Sequence, residues 1–233
     1  ANTYSLTDGL LETSARRVTQ YVYNGDYGSN KVKFGAYYGG SSKRNIKNVD
    51  LKNNRKNTWG TGLIFNHEID SIQNVTVAAG FTRQISENAN KTAYYSNAYA
   101  LGLAYNFVHT TYGLDFAHKD TKNKGGAGNK VKNNEVTAVI RQGLNEDWNV
   151  YAMYSYKTEK TLPVGSAYSK STDRQFLVGT EYYVFKQGSV KVKPFIEWQA
   201  TRTKYENTFD KDSGKQLDRS RDFKTVIGLR AYW

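Results

Sequence analysis

Nine basic residues, Lys31, Lys33, Lys119, Arg141, Lys157, Lys191, Lys193, Lys224 and Arg230, sit at alternate positions in stretches whose intervening residues are largely apolar. Five acids, Glu68, Asp115, Glu135, Glu181 and Glu197, share their phase. Alternate residues of an extended chain point to one side. The pattern therefore predicts a single charged surface on which bases outnumber acids. A guanidinium on it could hold a carboxylate through two parallel hydrogen bonds, and Tyr37, Tyr151 and Tyr183 could offer ring faces to sugar rings. The competing reading is that these bases pair with the acids in a structural network, and at this stage both stay open.

Other chemistry finds less support. The histidines are His67, His109 and His118, and on the alternating phase His67 and His118 fall with the apolar residues. No Ser or Asp stands at a convincing spacing to complete a nucleophilic constellation, so no catalytic residue is assigned. The chain has no cysteine, which excludes disulfides and thiolate metal sites. There is no HExxH, glycine-rich phosphate loop or metal cluster either, so no metal and no cofactor is expected. The triplet NVT at Asn74 lies inside a predicted strand and carries no meaning as a glycosylation site.

The elements that must position the charged surface are strands. Mean hydropathy is low, −0.72, yet aromatics make up 14% and proline only 2 of 233 residues, a composition of ordered, strand-rich chains rather than disordered ones. In VKVKPFIEWQATR, Val190, Val192, Pro194, Ile196, Trp198 and Ala200 oppose Lys191, Lys193, Phe195, Glu197, Gln199 and Thr201. DWNVYAMYSYK and EVTAVIRQGL split in the same way, and KVKFGAYY, TWGTGLIFNHEI, NVTVAAGFTRQI, AYYSNAYALGLAYNF, TTYGLDFAHK and RQFLVGTEYYVF are further strand candidates. A strand from about Arg16 to Tyr23 is plausible, with either Val18 and Val22 or Tyr21 and Tyr23 facing out. Residues 5–17 read as another strand or as a short amphipathic helix. Connections alternate between tight (NGDYGSN, DSIQ, near Val108, LNED, KQGS) and long (GGSSKRNIKNVDLKNNRKN, SENANK, KDTKNKGGAGNKVKN, TEKTLPVGSAYSKSTD, KYENTFDKDSGKQLDRSRD).

That alternation predicts an all-β, antiparallel, up-and-down barrel of twelve strands in a single domain over residues 1–233. Several strands reach the roughly 9–11 residues that a tilted strand needs to cross a bilayer, more than the roughly 5–6 usual in a soluble sandwich. Glycines at 60, 62, 80, 102, 113, 143, 179 and 228 fall on the charged side, as suits a concave interior. Trp59, Trp148, Trp198 and Trp233 are expected to form interfacial girdles. No apolar run approaches the roughly 18 residues of a membrane-spanning helix. ANTYSLTDGL lacks the features of a signal peptide and reads as a mature terminus or the edge of a shorter piece.

The last residues, FKTVIGLRAYW, set Phe223, Ile227, Leu229 and Trp233 against Lys224 and Arg230. This closing strand resembles the C-terminal assembly signal of bacterial outer-membrane barrels, departing from it at Ala231, where many members carry tyrosine. Within that class, the size, twelve strands and basic interior are similar to the small monomeric porins for acidic oligosaccharides, the oligogalacturonate and sialic-acid channel family. The resemblance implies a bacterial outer-membrane location, contact with lipid bilayer and lipopolysaccharide, and recognition by the barrel-assembly machinery.

The net charge of +12 asks for an anionic partner. The expectation is therefore a channel for passive diffusion of small hydrophilic solutes, preferring anions, with acidic oligosaccharides as the candidate class, and not an enzyme. The alternative is an autotransporter translocator barrel with residues 5–17 as a pore helix. A barrel hydrolase and a nucleic-acid-binding protein are less favoured. Lysines 52, 56, 122, 124, 130 and 132 in the loops, and Arg83 on the apolar face, are read as solvated charges or contacts to lipopolysaccharide phosphates.

Overall fold

The computed structural model describes residues 18–40, 54–88, 91–124, 129–162, 168–188, 190–208 and 215–232. They form one antiparallel sheet of twelve strands: β1 Val18–Tyr27, β2 Asn30–Gly39, β3 Asn54–Asp70, β4 Gln73–Asn88, β5 Lys91–Phe107, β6 Thr110–Asn123, β7 Lys130–Gly143, β8 Trp148–Leu162, β9 Tyr168–Tyr182, β10 Phe185–Gln187, β11 Val190–Thr208 and β12 Lys215–Tyr232. Each long strand pairs with the long strand before and after it, the order of an up-and-down meander. The short β10 forms a small hairpin with the start of β11 at the tight-turn end. The strand number agrees with the expectation, but β10 takes the place that the sequence reading gave to residues 5–17, which lie outside the described residues.

Directly opposed residues of an antiparallel pair share a face, so register carries the two faces from strand to strand. Gly179 on β9 opposes Tyr151 on β8, Arg141 on β7 also opposes Tyr151, and Thr111 on β6 opposes Arg141. This row is the inner face, and its neighbours in sequence are the outer one. The outer face carries Phe34, Leu63, Val77, Leu101, Leu103, Leu114, Phe116, Val136, Ile140, Phe176, Ile196 and Ile227, all exposed. Ile227 is 77% and Leu101 53% exposed. An apolar surface continuous over this many strands far exceeds the few hundred Å² that soluble monomers leave bare, and hydrocarbon is the solvent that suits it. In β1 the choice between phases falls to Tyr21 and Tyr23 outward, because Val22 opposes the inward Gly35.

Turn chemistry fixes the tight end. Gly28, at φ 70°, closes β1 onto β2, and Val108, at φ 54°, turns β5 into β6 in a backbone region that β-branched residues rarely adopt. At the other end four of the five expected long loops are largely strand: β4 runs to Asn88 and β5 starts at Lys91 within SENANK, and the expected loops 119–133, 158–173 and 204–222 leave only residues 124–129, 163–167 and 209–214 between strands. Polar residues there satisfy the ladder as well as a loop would, and periodicity alone does not show where pairing stops.

β1 and β12 are the free edges of the described sheet. Each pairs on one side only, with β2 and β11 respectively, and the two do not touch. Both run from the long-loop end to the tight-turn end.

Candidate functional site in the barrel interior

All the inward bases and acids expected from the sequence do lie on the inner phase, in two regions of unlike character. Across β2 to β6 many inward residues are small: Gly35, Gly62, Ala78, Gly80, Ala100 and Gly102 border a cavity of about 530 Å³, which Lys33, Tyr37, Ile64 and Asp115 also line. Lys31 binds Glu68 at 2.9 Å in an exposed pair at the tight-turn end. Asp115 faces the room left by Gly102 across the strand pair.

Across β7 to β12 the interior fills with charge. Glu181 is 1% exposed and accepts from Arg230 at 3.0 Å and Lys193 at 2.8 Å, with the Arg141 Nε 4.0 Å away. Arg230 also donates to Glu197 at 2.8 Å, and the Tyr151 hydroxyl donates to the same Glu197 oxygen at 2.6 Å. The guanidinium lies 4.0 Å from the centre of the Phe195 ring. Burying an ion pair is tolerable only when its hydrogen bonds are satisfied, and here five strands converge on two carboxylates. Two glycines make the arrangement possible. A Cβ on Gly179 would lie 2.6 Å from the Tyr151 ring, and one on Gly228 2.5 Å from Phe195, so each ring lies flat across its glycine partner.

On the long-loop side of this cluster is a polar chamber of about 350 Å³. Ser155, Gln175, Gln199, Thr201 and Thr203 line it, with Tyr205, Glu135, Lys157 and Asp173. Lys157 stands directly opposite Glu135 on one side and Asp173 on the other. Sequence reading placed several of these residues on the polar phase but assigned roles only to the charged ones. A search for neutral inward amides and hydroxyls at one level would have found the rest.

The remaining expected bases do not converge. Lys33 and Lys119 lie on separate strands, Lys224 is exposed on the edge strand β12, and Lys191 is exposed at the tight-turn mouth. Of the tryptophans expected in the girdles, Trp59 lies toward the loop end of β3 and Trp148 at the turn end of β8. Trp198 does not: it sits mid-way along β11 and stacks on Phe223 with centroids 6.1 Å apart, so it belongs to the apolar band. Trp233 is outside the described residues. His67 and His118 face outward, bound to Asn30 at 2.8 Å and Asn134 at 2.7 Å. No group of His, Cys, Asp and Glu among the described residues could hold a metal ion.

No protein-family model matches the chain, and no curated protein matches it in sequence. Solved structures do match. A trimer form of OmpT, an outer-membrane protein of Vibrio cholerae, is similar at 14% identity and a TM-score of 0.58, over 97% of this chain and 67% of that one. A second OmpT structure from Vibrio cholerae is similar at 16% identity and 0.58 over the same shares. A form of that protein lacking loop L8 matches at 16% and 0.51, over 93% of this chain and 62% of that one. At such identities the likeness shows the fold: an outer-membrane β-barrel. With the apolar outer face, it places the chain in a bacterial outer membrane, among bilayer lipid and lipopolysaccharide.

Two expectations are corrected here. The passive, anion-preferring channel rested on a surplus of inward bases, but Arg230, Lys193 and Arg141 are gathered around Glu181 and Glu197, and Lys31 around Glu68. The likeness to OmpT, at 14–16% identity, shows a barrel fold and lends a channel no support of its own. The expectation that the chain is not an enzyme rested on the lack of a constellation in the sequence. Register brings charged residues up to 49 positions apart into one cluster, which spacing along the sequence does not reveal, so the lack of a constellation in the sequence does not exclude an enzyme.

Proposed function

We propose that the barrel interior binds a small, neutral, polyhydroxylated solute of the saccharide class, seated in the chamber on the loop side of the ion-pair cluster. What carries this reading is the chamber's lining. Five neutral amides and hydroxyls, Ser155, Gln175, Gln199, Thr201 and Thr203, surround a space of about 350 Å³, within the range of roughly 300–1,000 Å³ typical of small-ligand sites. Amides and hydroxyls both donate and accept, as a sugar hydroxyl requires, and Tyr205 supplies a ring face. The one base, Lys157, is flanked by two acids, which turns the preference away from anions. The resemblance to the acidic-oligosaccharide family supports the sugar class and not its charge. The outward Phe223, Ile227 and Leu229 of β12 support reading that strand as the element the barrel-assembly machinery takes up.

Calorimetric titration of the refolded full chain with neutral disaccharides and with sugar acids tests the proposal. Saturable binding of the neutral sugars, lost when Gln199→Ala and Thr201→Val are combined, is expected. Absence of saturation, or tighter binding of the sugar acids, overturns it.

A further inference from the structure

The outer face is not apolar throughout. At the loop end of β9, β11 and β12 the register sets Arg202 directly opposite both Arg174 and Arg221, and Lys204 directly opposite Arg219. All five share the outward phase of Phe176, Trp198 and Phe223. Four of them, with Thr172, line a cleft of about 120 Å³. One layer further out, Lys160 opposes Lys170. Among the described residues, Glu206 is the one acid on the outward face of these three strands, and it pairs with Lys204. Acids beside them in sequence turn inward: Asp173 opposes Lys157, Asp222 opposes Thr201 and Asp218 opposes Tyr205.

Like charges directly opposed across a ladder are destabilising. Three arginines abreast, with their sequence-neighbouring acids on the other side of the wall, are an arrangement that an external anion must offset. The position says which kind. Arg174 and Arg221 lie two residues, roughly 7 Å along the strand, from Phe176 and Phe223 of the lipid-facing band. In outer-membrane barrels the long loops are extracellular, so the layer just beyond that band meets the headgroups of the outer leaflet. Guanidinium forks match phosphate oxygens in pairs.

We propose that Arg174, Arg202, Lys204, Arg219 and Arg221 form a binding site for the phosphate groups of lipopolysaccharide on the membrane-facing wall. The site rests on the barrel fold and is independent of what the interior binds. The adjoining apolar band takes the acyl chains while the arginines take the phosphates.

The test is titration of the full chain, refolded in detergent, with lipopolysaccharide, with the same lipid after enzymatic removal of its phosphates, and with inorganic phosphate. Native protein is expected to prefer the phosphorylated lipid by at least about tenfold, the effect of losing one charge-assisted hydrogen bond. The combined Arg174→Gln, Arg202→Gln and Arg221→Gln variant is expected to lose that preference. If it fails to fold, as judged by heat-modifiable mobility, Arg202→Gln and Arg219→Gln are read singly. Equal binding of the dephosphorylated lipid, or variants that keep the preference, overturns the proposal. So does inorganic phosphate binding as tightly as the lipid, which would mark a site for the free ion.

Discussion

Glu181 shows what a single inward residue contributes to such a wall. Its side chain is fully buried, and Lys193, which it holds at 2.8 Å, is only 4% exposed. Removing one partner of a buried pair leaves the other without compensation, at a cost of about 3–5 kcal/mol. Glu181→Gln is therefore expected to destabilise the barrel by about that amount in urea unfolding from lipid vesicles, whereas a loss below about 1 kcal/mol, the ordinary worth of an exposed pair, would mean that water reaches the cluster. Gly179 acts on the same cluster by absence. Gly179→Ala places a methyl 2.6 Å from the Tyr151 ring and pushes its hydroxyl from Glu197, an overpacking cost of about 1–3 kcal/mol. None of this was legible residue by residue. Phase alone put Glu181, Lys193 and Arg230 on one side, but which acid meets which base depends on register between strands, and Arg230 lies 49 positions from Glu181.

At the scale of the strand the sequence was far more readable, because period two is imposed by backbone geometry and survives any register. The split of Ile196 and Trp198 against Glu197 and Gln199 is found in β11 as the alternation foretold it. Ends were less readable: SENANK became strand, and Trp198, expected near an interface, fell mid-strand, since spacing from a turn says nothing of how far a long strand overshoots the bilayer. The two faces make a direct prediction. Leu103 on β5 is 46% exposed and outward, while Ala100 borders the interior cavity. Leu103→Arg is expected to cost about 2–4 kcal/mol in lipid vesicles, as charges near the bilayer midplane do. Ala100→Lys, facing the hollow interior, should cost clearly less. Equal costs would mean that the outer wall does not face hydrocarbon.

For the molecule as a whole, strand direction constrains how the wall closes. β1 and β12 both run from the long-loop end to the tight-turn end, so they would meet as parallel neighbours in a sheet that is otherwise antiparallel throughout. An antiparallel closure needs an odd number of further strands between them. The absence of cysteine makes the seam open to a clean test. Ile196 and Ile227 are direct partners on β11 and β12, and antiparallel partners hold their Cα atoms roughly 4.5–5.5 Å apart, inside the range a disulfide can bridge. Oxidation of an Ile196→Cys, Ile227→Cys protein in vesicles should therefore form the bond. A Tyr21→Cys, Ile227→Cys protein, with its cysteines on the same outer face of β1 and β12, should not. A bond forming as readily in the second pair as in the first would show that the two edges meet directly and that the wall closes through one parallel seam.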